Sequence, residues 1–307
     1  MNNTSIINKA AITTDSLASG LLNPSQANKF VKMVFEATPL SSQVRHELRA
    51  AKTGEIDKIG IGSRLLRKKV ENTDDGYRVQ PEHSVIEYAT TAVRLPWEIT
   101  EETLRQNIEG ENYEAIVTEL MTRQVGIDQE DICLNGDTAT ASTDDDYDFL
   151  KLNDGWIKQI TNAGHVFDHS TVNSGKINLD TFYDMLQMLP NKYNNGQLRW
   201  LMSPHRRQEW ERYFLAEAIG TGGVINDRML QNPVSVPVIE VPAIPDDKII
   251  LANPKNLVIV NSYDIKIRKT TEGKDAIMQD KRFYVIHFDF DPVIEETDAV
   301  GIITGLA

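Results

Sequence analysis

The clearest pattern along the chain is an alternation of apolar and polar residues that begins at His83. Its apolar positions, set among Thr, Glu and Arg, are Val85, Tyr88, Val93, Leu95 and Trp97. This alternation, rich in β-branched and aromatic residues, predicts a half-buried β-strand. Alternating isoleucines in residues 55–61 supply a partner strand, and Asp74-Asp75-Gly76 has the composition of a hairpin tip. A two-stranded ribbon is only marginally stable alone, so we expect it to lie on another surface, and a neighbouring copy is the favoured one.

The strand leads directly into sequence with helical period. Thr100 followed by Glu101 and Glu102 is a favourable helix start, and Gly110 interrupts the pattern. A longer helix restarts near Glu111, with an apolar stripe at Tyr113, Ile116, Val117, Leu120 and Met121. If it runs to Cys133, before the terminating Asn135-Gly136, it is roughly 35 Å long. A charge placed in this stripe by Leu120→Asp should unfold the part of the protein built on the helix.

The remaining segments predict an α+β fold. Residues 1–20 are polar and indicate an extended arm, and residues 24–36 predict a helix with an apolar patch at Phe30, Val31, Val34 and Phe35. Residues 161–176 have the composition of a loop. Further elements are a helix at 178–190 capped by Asn178, a strand at 198–203, a helix from Pro204, strands within 234–261, two strands flanking a charged loop at 269–280, and a final strand.

Composition excludes several classes of protein. The 307 residues are 25% charged and 40% hydrophobic, an ordinary globular balance, and the net charge is -13. Such an acidic chain argues against a dedicated nucleic-acid binder, although it is compatible with a protein that encloses nucleic acid without gripping it. One cysteine allows no disulfide framework. The beginning of the chain does not resemble a signal peptide, and no apolar run is long enough for a membrane span.

Candidate chemistry is weak throughout the chain. His165 and His169 lack the glutamate and helical context of a zinc site, and we interpret them as exposed loop residues. Asp289 and Asp291 alternate in a predicted strand, and we expect both side chains to point outward. A metal-binding pair of carboxylates is the less favoured interpretation. The glycine-rich residues 220–223 lack the Lys-Ser/Thr of a phosphate loop, and no nucleophile elbow is present. Cys133 is interpreted as a buried helix residue. We predict no catalytic residue, no metal site and no cofactor.

One basic run stands out in this acidic chain: Arg64, Arg67, Lys68 and Lys69, on the first arm of the predicted hairpin. It is either a solvated face of the ribbon or a contact with the acidic surface of a neighbouring subunit.

The order of these parts resembles the major capsid proteins of tailed bacteriophages with the Hong Kong 97-like fold. The most specific match is the LPWEIT-EE segment at 95–102 leading into a long amphipathic helix that ends in LNGD at 134–137. The two late strands around a charged loop, NPKNLVIVNSYDIKIRK and KRFYVIHFDFDPVIEETDAV, are similar too. The resemblance implies an N-terminal arm (1–45), a long E-loop β-hairpin (46–96), a peripheral domain with a spine helix (97–176 and 258–290) and an axial domain (177–257 and 291–307).

The resemblance also implies a function. Many copies would assemble as pentamers and hexamers into an icosahedral shell around packaged double-stranded DNA, held without sequence-specific binding. Scaffolding, portal and decoration proteins are possible partners, no membrane is involved, and the virion capsid would be assembled in the host cytoplasm.

The residues that the resemblance marks fall into three groups. The subunit interface in the E-loop would comprise Arg64, Arg67, Lys68, Lys69, Asp74, Asp75 and Tyr77. The interface in the peripheral loop would comprise Lys269, Glu272, Lys274 and Asp275. The structural spine would comprise Trp97, Tyr113, Ile116, Val117 and Leu120.

Two alternatives remain open. The first is an encapsulin-type nanocompartment, a related shell that holds an enzyme cargo in place of a genome. The second is an α/β hydrolase-like enzyme built on residues 178–260, for which the sequence offers no convincing nucleophile, base or metal set.

Overall fold

The computed structural model describes residues 38–60, 65–68, 76–106, 112–172, 175–220, 232–263 and 266–307. The predicted arm helix at 24–36, the tip residues Asp74 and Asp75, Gly110 and most of the glycine-rich loop lie outside the described residues.

Twelve strands and seven helices make up the described part of the chain. The strands are β1 Arg45–Leu48, β2 Thr53–Gly60, β3 Glu82–Ala89, β4 Thr91–Thr100, β5 His165–Asp168, β6 Arg199–Met202, β7 Val238–Glu240, β8 Ile249–Ala252, β9 Leu257–Asn261, β10 Lys266–Thr270, β11 Lys281–Ile294 and β12 Gly301–Thr304. The helices are α1 Glu101–Gln106, α2 Tyr113–Asn135, α3 Tyr147–Leu150, α4 Trp156–Ala163, α5 Leu179–Met188, α6 Pro204–Gly220 and α7 Lys274–Gln279.

The first sheet is organised around β11, which is 14 residues long. Its first part pairs with β10 and, over ten residues, antiparallel with β4. Its last four residues pair with β9, which in turn pairs in parallel with β1. Trp97 and Tyr284, partners in the β4–β11 register, stack at 5.2 Å between ring centroids. Apolar side chains of this sheet and of α2 form one continuous core.

The long helix is confirmed at 23 residues, and its buried positions refine the predicted stripe. Tyr113 and Val117 are buried, as is Val125 further along, whereas Ile116 and Leu120 are only partly buried. The helix therefore meets the sheet along a narrow line with a spacing of four residues in its first half. Leu120 lies beside this line. The substitution expected to place a charge in the core is therefore Val117→Asp and not Leu120→Asp.

The end of the helix depends on a close approach between two chain segments. A Cβ on Gly136 would lie 2.4 Å from the carbonyl oxygen of Asn153, and Gly155 N donates to Gly136 O at 2.8 Å. Glycine is needed here for space, because its φ of -52° is open to any residue. The segment at 153–155 is thus held against the end of α2.

The second sheet has the order β5-β12-β8-β6-β7 and contacts α5 and α6 through a separate core. Phe182 of α5 packs edge-on against Trp200 of β6 and Trp210 of α6. Asn178 caps α5 in a capping box with Thr181, as its sequence position predicted. The loop prediction for 161–176 is wrong at its centre, because β5 forms there by parallel pairing with the distant β12. His169 is fully buried, with Nε2 3.0 Å from Lys176 O, so it is not an exposed loop residue.

The predicted single strand from residue 83 to 97 is two strands in the structure. β3 pairs with β2, and β4 pairs with β11 in the first sheet, with Thr90 between them. An alternating pattern cannot show that its two halves pair with different partners. The charged loop at 269–280 also differs from expectation, because Lys274–Gln279 forms the short helix α7.

Candidate assembly surfaces

In the described part of the chain, no group of three or more His, Cys, Asp or Glu residues could hold a metal ion. Asp246 accepts hydrogen bonds from Ser203 Oγ and lies 3.0 Å from His205 Nδ1, so one carboxylate holds both side chains. In a hydrolase the histidine would instead contact the serine. None of the helices in the described ranges is long and apolar enough to cross a membrane.

β2 and β3 form a two-stranded sheet that we call the ribbon. Its inner face carries Ile56, Ile86 and Tyr88, which pack against Val258, Val260 and Val293 of the first sheet. This small apolar contact fixes the base of the ribbon on its own subunit. Both edges of the ribbon are unpaired among the described residues, since β2 and β3 pair only with each other there.

The outer face of the ribbon is exposed along its whole length. It consists of Thr53, Glu55, Asp57, Ile59, His83, Val85, Glu87 and Ala89. Ile59 is 67% exposed and Val85 51% exposed, and they lie diagonally across the strand pair. A large apolar pair surrounded by carboxylates, on a face that the described part of its own subunit leaves uncovered, is typical of a contact surface.

Two carboxylates of β11 hold the elbow where the ribbon joins the sheet, which we define as residues 89–91. Asp289, fully buried, accepts from Ser262 N at 2.7 Å, from Ser262 Oγ, and from Thr90 Oγ1 at 3.1 Å. Asp291 Oδ2 accepts from Ala89 N at 2.8 Å. The sequence expectation that Asp289 and Asp291 point outward is therefore wrong. Their hydrogen bonds hold the chain at the elbow, where β-strand pairing changes partner.

Two ion pairs hold the ribbon and β1 against the chain that follows β11. Lys58 of β2 forms an ion pair with Glu296 and donates a hydrogen bond to Glu295 O at 3.3 Å. Arg45 of β1 donates to Glu295 Oε2 at 2.8 Å. All four side chains are partly exposed, so each pair contributes little free energy and is weakened by salt. We interpret these ion pairs as fixing the angle of the ribbon, with only a small contribution to its stability.

The carboxyl of Asp291 makes the elbow sensitive to pH. Burial raises the pKa of Asp291 to about 6, against the lowering effect of the Ala89 N–H, and Asp154 raises it further. Between pH 3.8 and about 6 the folded chain therefore binds more protons at this position than the unfolded chain, and its stability falls as pH rises through that window. The loss by pH 7 is of order 1–3 kcal/mol.

We expect Asp291→Asn to remove this dependence. Urea unfolding of the unassembled variant should match the parent near pH 4 and show a higher free energy of unfolding near pH 7. A difference between the two proteins that stays constant from pH 4 to pH 7 would show that Asp291 does not titrate in this range.

The predicted E-loop interface is described only in part. Arg64, Lys69, Asp74 and Asp75 lie outside the described residues. Arg67 places its guanidinium 3.6 Å from the centroid of the Tyr77 ring, and Lys68 is exposed. Gly76 has φ of 70°, a conformation that suits a tip turn. The structure thus brings the two arms together at Arg67 and Tyr77, near the predicted tip.

The predicted peripheral-loop residues divide into two groups. Lys269 forms an ion pair with Glu114 of α2 within the same chain. Glu272, Lys274 and Asp275 are exposed, and so are Ile277 and Met278 of α7, at 72% and 78%. The apolar pair was not predicted as part of the surface, because Ile277 and Met278 are adjacent in sequence and show no periodic pattern.

Sequence reasoning also missed a group of ion pairs that joins β11 to the helices. Arg282 bonds Glu101 of α1 and Glu114 of α2, and these hydrogen bonds raise the pKa of the Arg282 guanidinium. Burial raises the pKa of Glu114, but hydrogen bonds from Lys269 and Arg282 outweigh it and hold that pKa below its ordinary value. The sequence pattern predicts only a helix start at Glu101, and nothing local in the sequence connects it to Arg282.

The chain resembles known proteins in both sequence and structure. No family model matches the chain. The chain is 29% identical over 319 aligned positions, covering 98% of each protein, to the Bacillus subtilis (strain 168) protein named as prophage capsid protein YqbE. A chain of the satellite phage P4 procapsid that includes the size determination protein has a TM-score of 0.60 at 14% identity, covering 91% of this chain and 99% of that one. The holo-SrpI encapsulin complex of Synechococcus elongatus PCC 7942 gives 0.58 at 13% identity, covering 93% and 96%.

Proposed function

We infer that this chain, a phage-type major capsid protein with the Hong Kong 97-like fold, assembles as pentamers and hexamers into an icosahedral shell around packaged double-stranded DNA. The premise is a likeness to a prophage capsid protein over nearly the whole length of both chains. The observation that carries the rest is the ribbon, which is fixed to its own subunit at the base and has an apolar and acidic face that no other described residue of the chain covers.

The proposed assembly contact uses the outer face of the ribbon. Glu55, Asp57 and Glu87 make this face acidic around Ile59 and Val85. β10 is exposed at every residue and pairs only with β11 among the described strands, so its second edge is open there. That edge carries Lys266 and Arg268, whereas Lys269 is already paired with Glu114 of its own chain. We propose that the ribbon of one subunit lies along β10 of a neighbour, where opposite charges set the register and the apolar pair supplies affinity.

The basic residues near the tip extend this contact. Arg67 and Lys68, together with Arg64 and Lys69, would meet acidic surface beyond β10 on the neighbour. Glu272, Lys274 and Asp275, with Ile277 and Met278, would form a second contact at the peripheral loop. In this proposal the first sheet with α2 is the peripheral domain, and the second sheet with α5 and α6 is the axial domain.

The net charge of -13 fits a wall that encloses DNA without binding it. A shell that gripped phosphates would oppose the packaging of DNA inside it. We propose that the protein forms no sequence-specific contact with DNA, and that scaffolding, portal and decoration proteins join the copies of this chain during assembly in the host cytoplasm.

The contents of the particle test this proposal against the nanocompartment, which the likeness to an encapsulin structure keeps as second candidate. Particles from phage-producing cells should retain genome-length DNA after nuclease treatment of their exterior, and the DNA should be released when the shell is disrupted. Particles that contain a single enzyme and no protected DNA would overturn the viral function while leaving the shell-forming fold intact.

A further inference from the structure

An apolar groove lies between α2, β4 and the segment at 149–152. It encloses about 130 Å³, and its apolar walls include Leu95, Phe149, Leu152 and Phe288. Leu95, Phe149 and Leu152 are only partly buried, so the groove is open on one side. An apolar protein cavity of about 150 Å³ holds a benzene ring, so this groove has nearly the size for one aromatic side chain.

The rim of the groove carries a carboxylate, that of Asp128, with no cation paired to it among the described residues. Burial raises the pKa of Asp128, against a hydrogen bond from Gln124, and the nearby Asp131 raises it further. Gln124 Nε2 donates to Asp128 Oδ1 at 2.7 Å, and no ion pair reaches Asp128 in the described ranges. Arg94 lies on the same groove without pairing with this carboxylate. A ligand that brings both an apolar ring and a cation would therefore complete the groove.

The N-terminal part of the chain enters the described structure beside this groove. Glu130 of α2, itself buried, accepts from Leu40 N at 3.1 Å and from Ser41 N at 2.7 Å. Thr38 Cγ2 lies 3.7 Å from where a Cβ on Gly126 would stand, and Gly126 adjoins Val125 of the groove wall. Four residues of extended chain span about 13 Å, slightly more than the diameter of a helix with its side chains. Residues before Thr38 therefore reach the groove easily.

The sequence before Thr38 carries an aromatic ring for the cavity and a cation for Asp128. Residues 28–36 read NKFVKMVFE, in which Phe30 and Phe35 supply aromatic rings and Lys29 and Lys32 supply cations. We propose that the groove on α2 is the docking site for residues 28–36 of the same chain, with an aromatic ring in the cavity and a lysine paired with Asp128. In this arrangement the N-terminal arm is attached to α2 at two places, through Glu130 at residues 40–41 and through the groove at residues 28–36.

Zero-length carbodiimide crosslinking of the unassembled full-length chain tests the proposal directly. Peptide mass spectrometry should find an amide bond between Asp128 and Lys29 or Lys32, and Asp128→Asn should abolish it. A mixture of isotopically light and heavy protein identifies the partner chain. Links within one isotope class support the proposal, whereas links that join light to heavy chains assign the groove to the arm of a second copy and overturn it.

Hydrogen exchange provides the second measurement. Phe30→Ala combined with Phe35→Ala should accelerate exchange of the amides in residues 92–95 and 149–152 on the order of tenfold, because the groove loses its cover. Ile6→Ala combined with Ile7→Ala, in the same arm but outside the docking segment, is the matched control and should leave these rates unchanged. Equal rates in both variants and the parent would overturn the proposal. Neither measurement depends on shell formation, so failure here leaves the capsid function untouched.

Discussion

Val117→Asp should unfold the first sheet together with the long helix, with a loss of about 3–5 kcal/mol in free energy of unfolding. Val117 is 5% exposed and belongs to the core that α2 shares with β4 and β11. An aspartate there would be buried without a cation among the described residues of that core. Because native domains are stable by only about 5–15 kcal/mol, a large share of the stability would be lost. Urea unfolding of the unassembled protein, followed by circular dichroism, measures the change.

Two matched substitutions on the same helix make this result specific. Leu120→Asp, at a partly buried position beside the contact line, should cost clearly less than Val117→Asp. Ala115→Asp, at an exposed position, should change stability by about 0.5 kcal/mol or less. Equal losses in all three variants would mean that helix propensity matters here more than packing, and that α2 does not support the sheet in the way described.

Charge reversal at Arg67, Lys68 and Lys69 together is expected to abolish assembly while leaving the subunit folded. Arg67 and Lys68 are exposed near the predicted tip of the hairpin and belong to neither large core. If each reversed contact with acidic surface costs about 3 kcal/mol, association falls roughly a hundredfold per contact. Repeated around a shell, this loss leaves no closed particles. Size-exclusion chromatography and electron microscopy measure assembly, and the unfolding midpoint reports on the subunit.

The charge-preserving variant Arg67→Lys, Lys68→Arg, Lys69→Arg is the control for that experiment. It should assemble, with a modest loss because lysine stacks less well than arginine on Tyr77. If the reversed variant forms particles in normal yield, the basic run is a solvated face, and the contact must be carried by the outer ribbon face alone.

Much of the architecture could be predicted because it depends on local pattern. The long helix, its end at Asn135-Gly136, the cap at Asn178 and the late paired strands all follow from periodicity and capping residues. The order of these elements resembled a capsid protein, and the fold and the relative confirm that interpretation.

The remaining features depend on contacts between distant residues, which a single sequence does not show. Asp289 lies in an alternating strand, but its burial is compensated by Thr90 and Ser262, which come from two other segments. β5 exists because β12, more than 130 residues later, pairs with it. The division of one apparent strand at Thr90 arises because β4 has β11 as partner and β3 has β2. The residues predicted at the assembly contacts remain a prediction.

Single-particle reconstruction of the assembled protein shows which surface each ribbon contacts. We expect a closed icosahedral shell of pentamers and hexamers in which the outer face of each ribbon, with Ile59 and Val85, lies against β10 of a neighbouring subunit. A protein that stays monomeric at every concentration and salt, or a shell in which each ribbon folds back on its own subunit, would show that the ribbon does not join subunits.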